Sequence, residues 1–327
     1  MFKLFERKQS PNSYILRLSK TNKSQSVIFH RQIRIVQPYS FSHQFRLKQI
    51  DVGKTLIELF SQKFPFKAIH EWAEKINEGL VSVNNKKVKP DYLLQVNDLI
   101  SHFNPSIIEP SVPDEIKIIQ ENKDWIAVFK PAPMPMHAGG RYFKNSLQVI
   151  LEEQLGYPLF IIHRLDAVTS GIIILGKSEK AADRISKSFR NNEPEKTYRA
   201  LVKGTPEKDS WQIDKPIRRK DGFVFECCLA ETGGKSAQTS FRVLKKEVDY
   251  SEIECKPHTG RTHQIRLHLL ESGLPIADDK VYLSKNPSAK ILQTTAIHLC
   301  HKKITILSLE MNIECNLPLW WGDLQMG

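Results

Sequence analysis

Residues 160 to 175, FIIHRLDAVTSGIIIL, set one arginine and one aspartate between two apolar runs, and no other stretch limits the fold so tightly. An ion pair taken out of water loses hydration that its mutual attraction offsets only in good geometry. The run from Gly171 to Leu175 therefore reads as a buried strand. Thr169, Ser170 and Gly171 supply the turn and the close backbone approach that lead into it. Asp166 then stands on a loop at the edge of a sheet. Either it makes a structural salt bridge, with Arg164 the nearest cation, or its carboxylate has chemistry to perform. Burial alone would raise its pKa and protonate it, so a cationic partner must lie close by.

A second stretch offers that partner. Residues 256 to 273, KPHTGRTHQIRLHLLESG, run from a strand through a His-Thr-Gly-Arg turn into a short helix that ends near Gly273. Arg266 on that helix has Thr262 and Leu270 four positions away and His263 and Leu269 three away, with no acid among them. It should look elsewhere for a carboxylate, and Asp166 is the natural candidate. The histidines of these stretches, His163, His258, His263, His268 and His298, can be satisfied by backbone carbonyls in a packed site. None has a serine or cysteine in a G-x-S-x-G elbow, which argues against a hydrolase triad. His263 and His268, five apart, do not share a helix face, which argues against a zinc site. The five cysteines form no CxxC pair and fit buried apolar roles in a reducing compartment.

The remaining chain divides by pattern. KTLIELFSQKF and FKAIHEWAEKINEGL read as two helices, the second ending at Gly79, and a hairpin follows around Asn84-Asn85. QVNDLISHF adds a last strand. Pro105, Pro110 and Pro113 then crowd into a linker that discourages helix and sheet alike, with a domain boundary near residue 110. Beyond it, IKIIQENKDWIAVFKP reads as strand, turn, strand, stopped by Pro131. Helices are expected at Ser146–Leu155 and Ala181–Arg190, and strands at TYRALVKG, SAQTSFRVLKK and YSEIECKP. The fold class is α+β, a mixed and largely antiparallel sheet with a cleft, preceded by a small αα/β-hairpin unit. The expected division is a basic arm over 1–45, the small unit over 46–104, the linker over 105–114 and the large domain over 115–327.

A net charge of +12 favours a polyanionic partner. The first 34 residues hold eight Lys or Arg and one acid, Glu6, a composition shared by floppy basic arms and organellar transit peptides. Apolar runs fall far short of a membrane span. There is no glycine-rich phosphate loop, so no nucleotide cofactor is expected, and no metal. The chain is expected to act as a cytoplasmic monomer.

INEGLVSVNNKKVKPDYLLQVNDLI resembles the S-four-type RNA-binding domain, which implies that Lys67, on the preceding helix, and Lys86, Lys87 and Lys89 of the hairpin face phosphates. HRLD with TSG, then KTYRALVKG, ETGGKSAQTSF and HTGRTHQIRLHL, in that order, closely resemble the RluA-type pseudouridine synthase family over roughly residues 115 to 305. The resemblance implies an RNA uridine isomerase that needs no cofactor. It puts the family's catalytic aspartate on Asp166, the tyrosine that stacks on uracil on Tyr198, and the arginine that pairs with the aspartate on Arg266. Ile265 would pack on the base, and Arg164 would help hold the flipped nucleotide's place in the RNA. Arg261 and His163 of the same motifs are further substrate-binding candidates. KPAPMPMHAGGRYFKNSL and QPYSFSHQF are similar to the branch that includes tRNA anticodon-loop synthases, which makes such a loop the first substrate choice and large-subunit rRNA the second. Pro133 replaces the usual glycine of the first segment. Asp278 and Asp279, in PIADD, take the place of a PIxGD or PIxND structural loop. A non-catalytic RNA-binding or ribosome-assembly factor on the same fold remains the alternative.

Overall fold

The computed structural model describes residues 6–10, 13–21, 28–284, 286–288 and 293–321, the side chains only from residue 33 onward. The chain forms two compact units, residues 37–109 and residues 1–36 together with 110–327.

In the smaller unit, Thr55 caps the helix Leu56–Lys63 in a reciprocal capping box with Glu58, and the helix Ile69–Asn77 follows. Leu56, Leu59 and Phe60 on the first helix pack with Trp72 and Ile76 on the second against Val81, Val83 and Ile100. The strands Val81–Val83 and Lys86–Lys87 pair through a turn in which Asn84 and Asn85 take φ of 51° and 61°. Two successive left-handed residues are what a tight hairpin requires, and asparagine tolerates them. The antiparallel sheet continues through Leu99–Ile107 to Tyr39–Arg46.

That last pairing corrects the expected extents. Tyr39–Arg46 is a strand of this sheet, so the unit begins at residue 37 and not 46. The proline-rich segment is partly strand as well, because Pro105 falls where the register with Tyr39 and Phe41 slips, a bulge at which no ladder hydrogen bond is asked of it. Val112–Pro113 pairs with Ile33 and Arg34.

The supposed arm is likewise built into the larger unit. Glu6–Ser10, Ser13–Thr21, Ile28–Val36 and Val112–Pro113 make a four-stranded antiparallel sheet. Arg34, 3% exposed, is anchored by Glu153 at 2.6 Å and by Asn145 at 3.2 Å. The parts of the arm at residues 1–5, 11–12 and 22–27 lie outside the described residues.

The main sheet of the larger unit runs in the order Ser210–Asp214, Gln238–Lys246, Tyr250–Pro257, Glu195–Lys203, Leu299–Ile306, Ser170–Gly176, Trp125–Lys130, Lys117–Glu121. Phe160–Ile161 and Met311–Glu314 add short edges. Every pairing is antiparallel except that of Ser170–Gly176 with Leu299–Ile306, so the sheet is mixed but mainly antiparallel, in an α+β unit. The IIIL run is buried on both faces. Ile172 and Ile174 join one core cluster with Ala127 and Ile304, whereas Ile173 and Leu175 join another with Val128 and the helix Leu147–Leu155. Gly171, at φ 117°, lets the parallel strands close up, because a Cβ there would lie 2.4 Å from the His301 carbonyl oxygen. Among the described residues no helix is long and apolar enough to cross a membrane.

Candidate active site

The loop between Phe160–Ile161 and Ser170–Gly176 carries Asp166 into a cleft of about 740 Å³ in the larger unit. The loop is fixed by its own backbone. Thr169 N–H donates to the Asp166 carbonyl at 3.1 Å, and Met134 N–H to the Ala167 carbonyl at 2.8 Å. Beneath it lies Lys130, fully buried, whose ammonium donates to the carbonyls of Pro131, Met134 and Ala167 at 3.2, 2.9 and 3.2 Å. Burial pushes Lys130 down to about 7, against the pull of Asp166. Sequence reading passed over this lysine. Its signal is a lone cation closing the apolar strand WIAVFK just before a proline.

Arg266 reaches the loop from the helix Gln264–Glu271. The turn before that helix is clamped by Gln264, whose amide oxygen accepts from Thr259 Oγ1 at 2.7 Å and Arg261 N–H at 3.0 Å. Its amide nitrogen donates to the Gln238 carbonyl and to Thr239 Oγ1, each at 2.9 Å. Arg266, 4% exposed, donates from one terminal nitrogen to Asp166 Oδ2 at 3.2 Å. The expected pair is present, but Arg266 is not otherwise without an acid. Its Nε and second terminal nitrogen grip Asp279 at 2.7 and 2.9 Å, a two-pronged bond to a carboxylate 1% exposed. Asp279, taken from sequence for part of a structural loop, therefore belongs to the site. Asp279 also caps the short helix Lys280–Leu283, accepting from Tyr282 N–H at 3.3 Å. A buried guanidinium has five N–H groups to satisfy, and that count was the available signal that one carboxylate would not suffice.

Burial raises the Asp166 carboxyl, but His263, Arg266 and Lys130 more than offset it and hold it below its ordinary value. Its side chain keeps 26% exposure. The carboxylate is therefore ionised at neutral pH and open to the cleft.

Tyr198, on Glu195–Lys203, lines the cleft. One face of its ring stacks on His301 at 4.5 Å and 14°. His301 donates from Nδ1 to the Ile172 carbonyl at 2.8 Å, and burial holds it near 4, so the stack is neutral. Ile265, 6% exposed, also lines the cleft. His163 accepts from the Ile174 N–H at 3.0 Å through Nε2 and stacks on Phe189 at 4.7 Å. Its ring nitrogen is therefore committed to the backbone, although its edge borders the cleft. Arg164 and Arg261 are exposed at the cleft, Arg261 donating from Nε to the Ser236 carbonyl at 2.8 Å.

In the smaller unit Lys86, Lys87 and Lys89 are exposed on and after the hairpin. Lys67 is not on a helix. It lies in the turn between the two helices, 3.4 Å from Glu71.

The family profile described as RNA pseudouridylate synthase matches residues 124–271, a span that holds Asp166, Tyr198 and Arg266 and stops short of Asp279. RNA pseudouridine synthase 7 of Oryza sativa subsp. japonica is 34% identical over 281 residues, covering 84% of this chain and 72% of that protein. The mitochondrial tRNA pseudouridine(32) synthase of Saccharomyces cerevisiae is 30% identical over 259 residues, covering 78% of this chain and 56% of that protein. Human RNA Pseudouridylate Synthase Domain Containing 4 shares the fold with a TM-score of 0.53 at 24% identity, over 63% of this chain and 90% of that one.

Proposed function

The chain belongs to the RNA pseudouridine synthase family, isomerases whose substrate is RNA, and from that premise we propose that it isomerises particular uridines in structured RNA, with Asp166 as the essential group. The observation that carries this reading is one ionised carboxylate, held by a buried arginine, at the mouth of a cleft lined by an aromatic ring. The reaction breaks the bond between C1′ of the ribose and N1 of uracil and joins C1′ to C5. The proton leaves C5, one is gained at N1, and no atom is gained or lost overall.

A uridine stacked inside folded RNA is out of reach of Asp166 and must be extruded, at about a few kcal/mol. The cleft volume suits a single nucleotide. Stacking on Tyr198 contributes about 1–3 kcal/mol, with Ile265 packing on the base. Asp166 either attacks C1′ or stabilises positive charge developing there, and each role needs the ionised form that Arg266 and Lys130 maintain. Arg164, Arg261 and the edge of His163 meet the rest of the nucleotide at the cleft mouth. The net charge of +12, with Lys67, Lys86, Lys87 and Lys89 of the smaller unit, residues 37–109, supplies backbone affinity. A non-catalytic RNA-binding role would leave a buried Arg266 gripped by two acids with nothing to orient.

For the substrate, an anticodon loop of tRNA comes first and large-subunit rRNA second. The yeast relative's printed name, a tRNA pseudouridine(32) synthase, supports tRNA. That name is also mitochondrial, which with the basic N-terminal composition favours an organelle as the alternative to a cytoplasmic monomer. The test is incubation with tRNA and rRNA pools from cells lacking the protein, followed by mapping of pseudouridine. New pseudouridine in a tRNA anticodon loop is expected. Its appearance in rRNA alone would overturn the substrate, and none in either pool would overturn the activity.

A further inference from the structure

Asp166 has a second neighbour that the pairing with Arg266 leaves unexplained. His263, the residue just before the Arg266 helix, stands with Nε2 at 3.7 Å from Asp166 Oδ2, the same oxygen that accepts from Arg266. Its other nitrogen, Nδ1, is 2.7 Å from the Tyr282 hydroxyl. Tyr282 is 3% exposed, and its hydroxyl oxygen already accepts from the Phe225 N–H at 3.2 Å. A phenol has one proton to give. Among the described residues the one acceptor within reach of that proton is His263 Nδ1. Nδ1 is then an acceptor, and the imidazole proton must sit on Nε2, facing Asp166.

The surroundings hold this arrangement in place. The His263 ring is packed edge to face between Phe225 at 5.4 Å and Tyr282 at 5.6 Å, with 11% of its side chain exposed. The Tyr282 ring lies under the Arg266 guanidinium at 4.7 Å, so Arg266 and His263 share one support. The His263 backbone takes φ 57°, a left-handed conformation that histidine adopts at some cost, and it is what swings the ring back over the start of the helix toward the loop.

We propose that His263 and Tyr282 are positioning residues for the isomerisation, with the Tyr282 hydroxyl fixing the His263 tautomer so that its Nε2–H points at Asp166 and closes to a hydrogen bond when substrate fills the cleft. Arg266 supplies the charge. His263 sets which rotamer of the carboxylate, and so which oxygen, is presented to the ribose. The proposal rests on Asp166 being the reacting group, and it adds that the carboxylate is aimed from two sides.

The test uses the full chain labelled with nitrogen-15 in its histidines. Long-range proton–nitrogen correlations read the tautomer of His263, identified by loss of its signals in His263→Gln. The expected wild-type pattern is a protonated Nε2 and a bare Nδ1. Tyr282→Phe, which keeps the ring beneath Arg266 and removes only the hydroxyl, should convert this into a mixture of tautomers. It should also lower kcat about tenfold with KM unchanged, the loss expected for one neutral hydrogen bond that matters only at the reacting centre. His263→Phe and His263→Gln carry the same backbone strain, but glutamine restores an N–H near the Nε2 position, so His263→Gln should recover part of the kcat that His263→Phe loses. A wild-type His263 protonated on Nδ1, or a Tyr282→Phe enzyme with wild-type kcat, would overturn the proposal. Either result would leave the assignment of Asp166 standing, because that assignment fails only if replacing Asp166 itself leaves activity.

Discussion

Asp279→Asn isolates the contact that orients Arg266. The wild-type carboxylate accepts from Nε and from one terminal nitrogen of the guanidinium at 2.7 and 2.9 Å, and both partners are buried. Asparagine has the same shape but one acceptor. Its amide N–H₂ would face a guanidinium N–H, donor against donor, in a space closed to bulk solvent. Removing one partner of a buried pair costs roughly 3–5 kcal/mol, and the surviving amide oxygen puts this variant at the lower end, about 3 kcal/mol. At about 2–4 °C per kcal/mol for a domain of this size, thermal unfolding should fall by about 6–12 °C. The guanidinium should also rotate toward Asp166, its remaining carboxylate. A displacement of about 1 Å at a reacting group costs on the order of 100-fold in rate. Melting curves and single-turnover kinetics on RNA together read both effects. A variant melting within about 2 °C of wild type with unchanged turnover would refute the claim that Asp279 holds Arg266 in register.

Other outcomes follow from the same contacts. Arg266→Lys should bind RNA but lose on the order of 100-fold or more in turnover, because one ammonium cannot bridge Asp166 and both oxygens of Asp279; single-turnover rates measure it. Gly171→Ala should destabilise by more than about 3 kcal/mol in denaturant titrations, since its Cβ meets the His301 carbonyl oxygen at 2.4 Å and φ 117° is closed to alanine. Lys130, depressed to about 7 when folded, binds fewer protons than its unfolded counterpart between about pH 7 and about pH 10. Stability should therefore rise with pH across that window relative to Lys130→Met, with a slope of up to about 1.4 kcal/mol per pH unit. Equal pH slopes for the two proteins would remove the depressed lysine.

Charge logic alone brought Asp166 to Arg266 across a hundred residues, because a buried carboxylate and an arginine with no acid three or four positions away on its own helix each lack what the other has. The same logic stopped one residue short. Asp278 and Asp279 are adjacent in sequence and differ only in conformation: Asp278 turns through φ 63° and stays half exposed, and this turn sends Asp279 inward. Nothing in a pair of identical letters tells which one is buried. The first 36 residues hid their strands for a different reason. QIRI alternates as a strand should, but the cationic composition pointed to a solvated arm, and what ties it down lies far along the chain: the pairing with Val112–Pro113 and the contacts of Arg34 with Asn145 and Glu153. The local elements were more legible. The Asn84-Asn85 turn, the helix start at Ser146 and the stop at Gly273 each follow from residues within one turn of the feature, whereas the helix expected from Ala181 starts two residues earlier, at Glu179, behind the Ser178 cap. Tyr198 lines the cleft, yet its partner His301 carries no mark in sequence, since the stack depends on a register between strands a hundred residues apart.

The central claim, that Asp166 carries the isomerisation, is tested most directly by Asp166→Asn on RNA labelled with tritium at C5 of uridine, where turnover releases the label to solvent. The variant should fold, bind the RNA with affinity near that of wild type, and release no tritium above background in a single turnover. Release at a rate near that of the wild-type enzyme would contradict it.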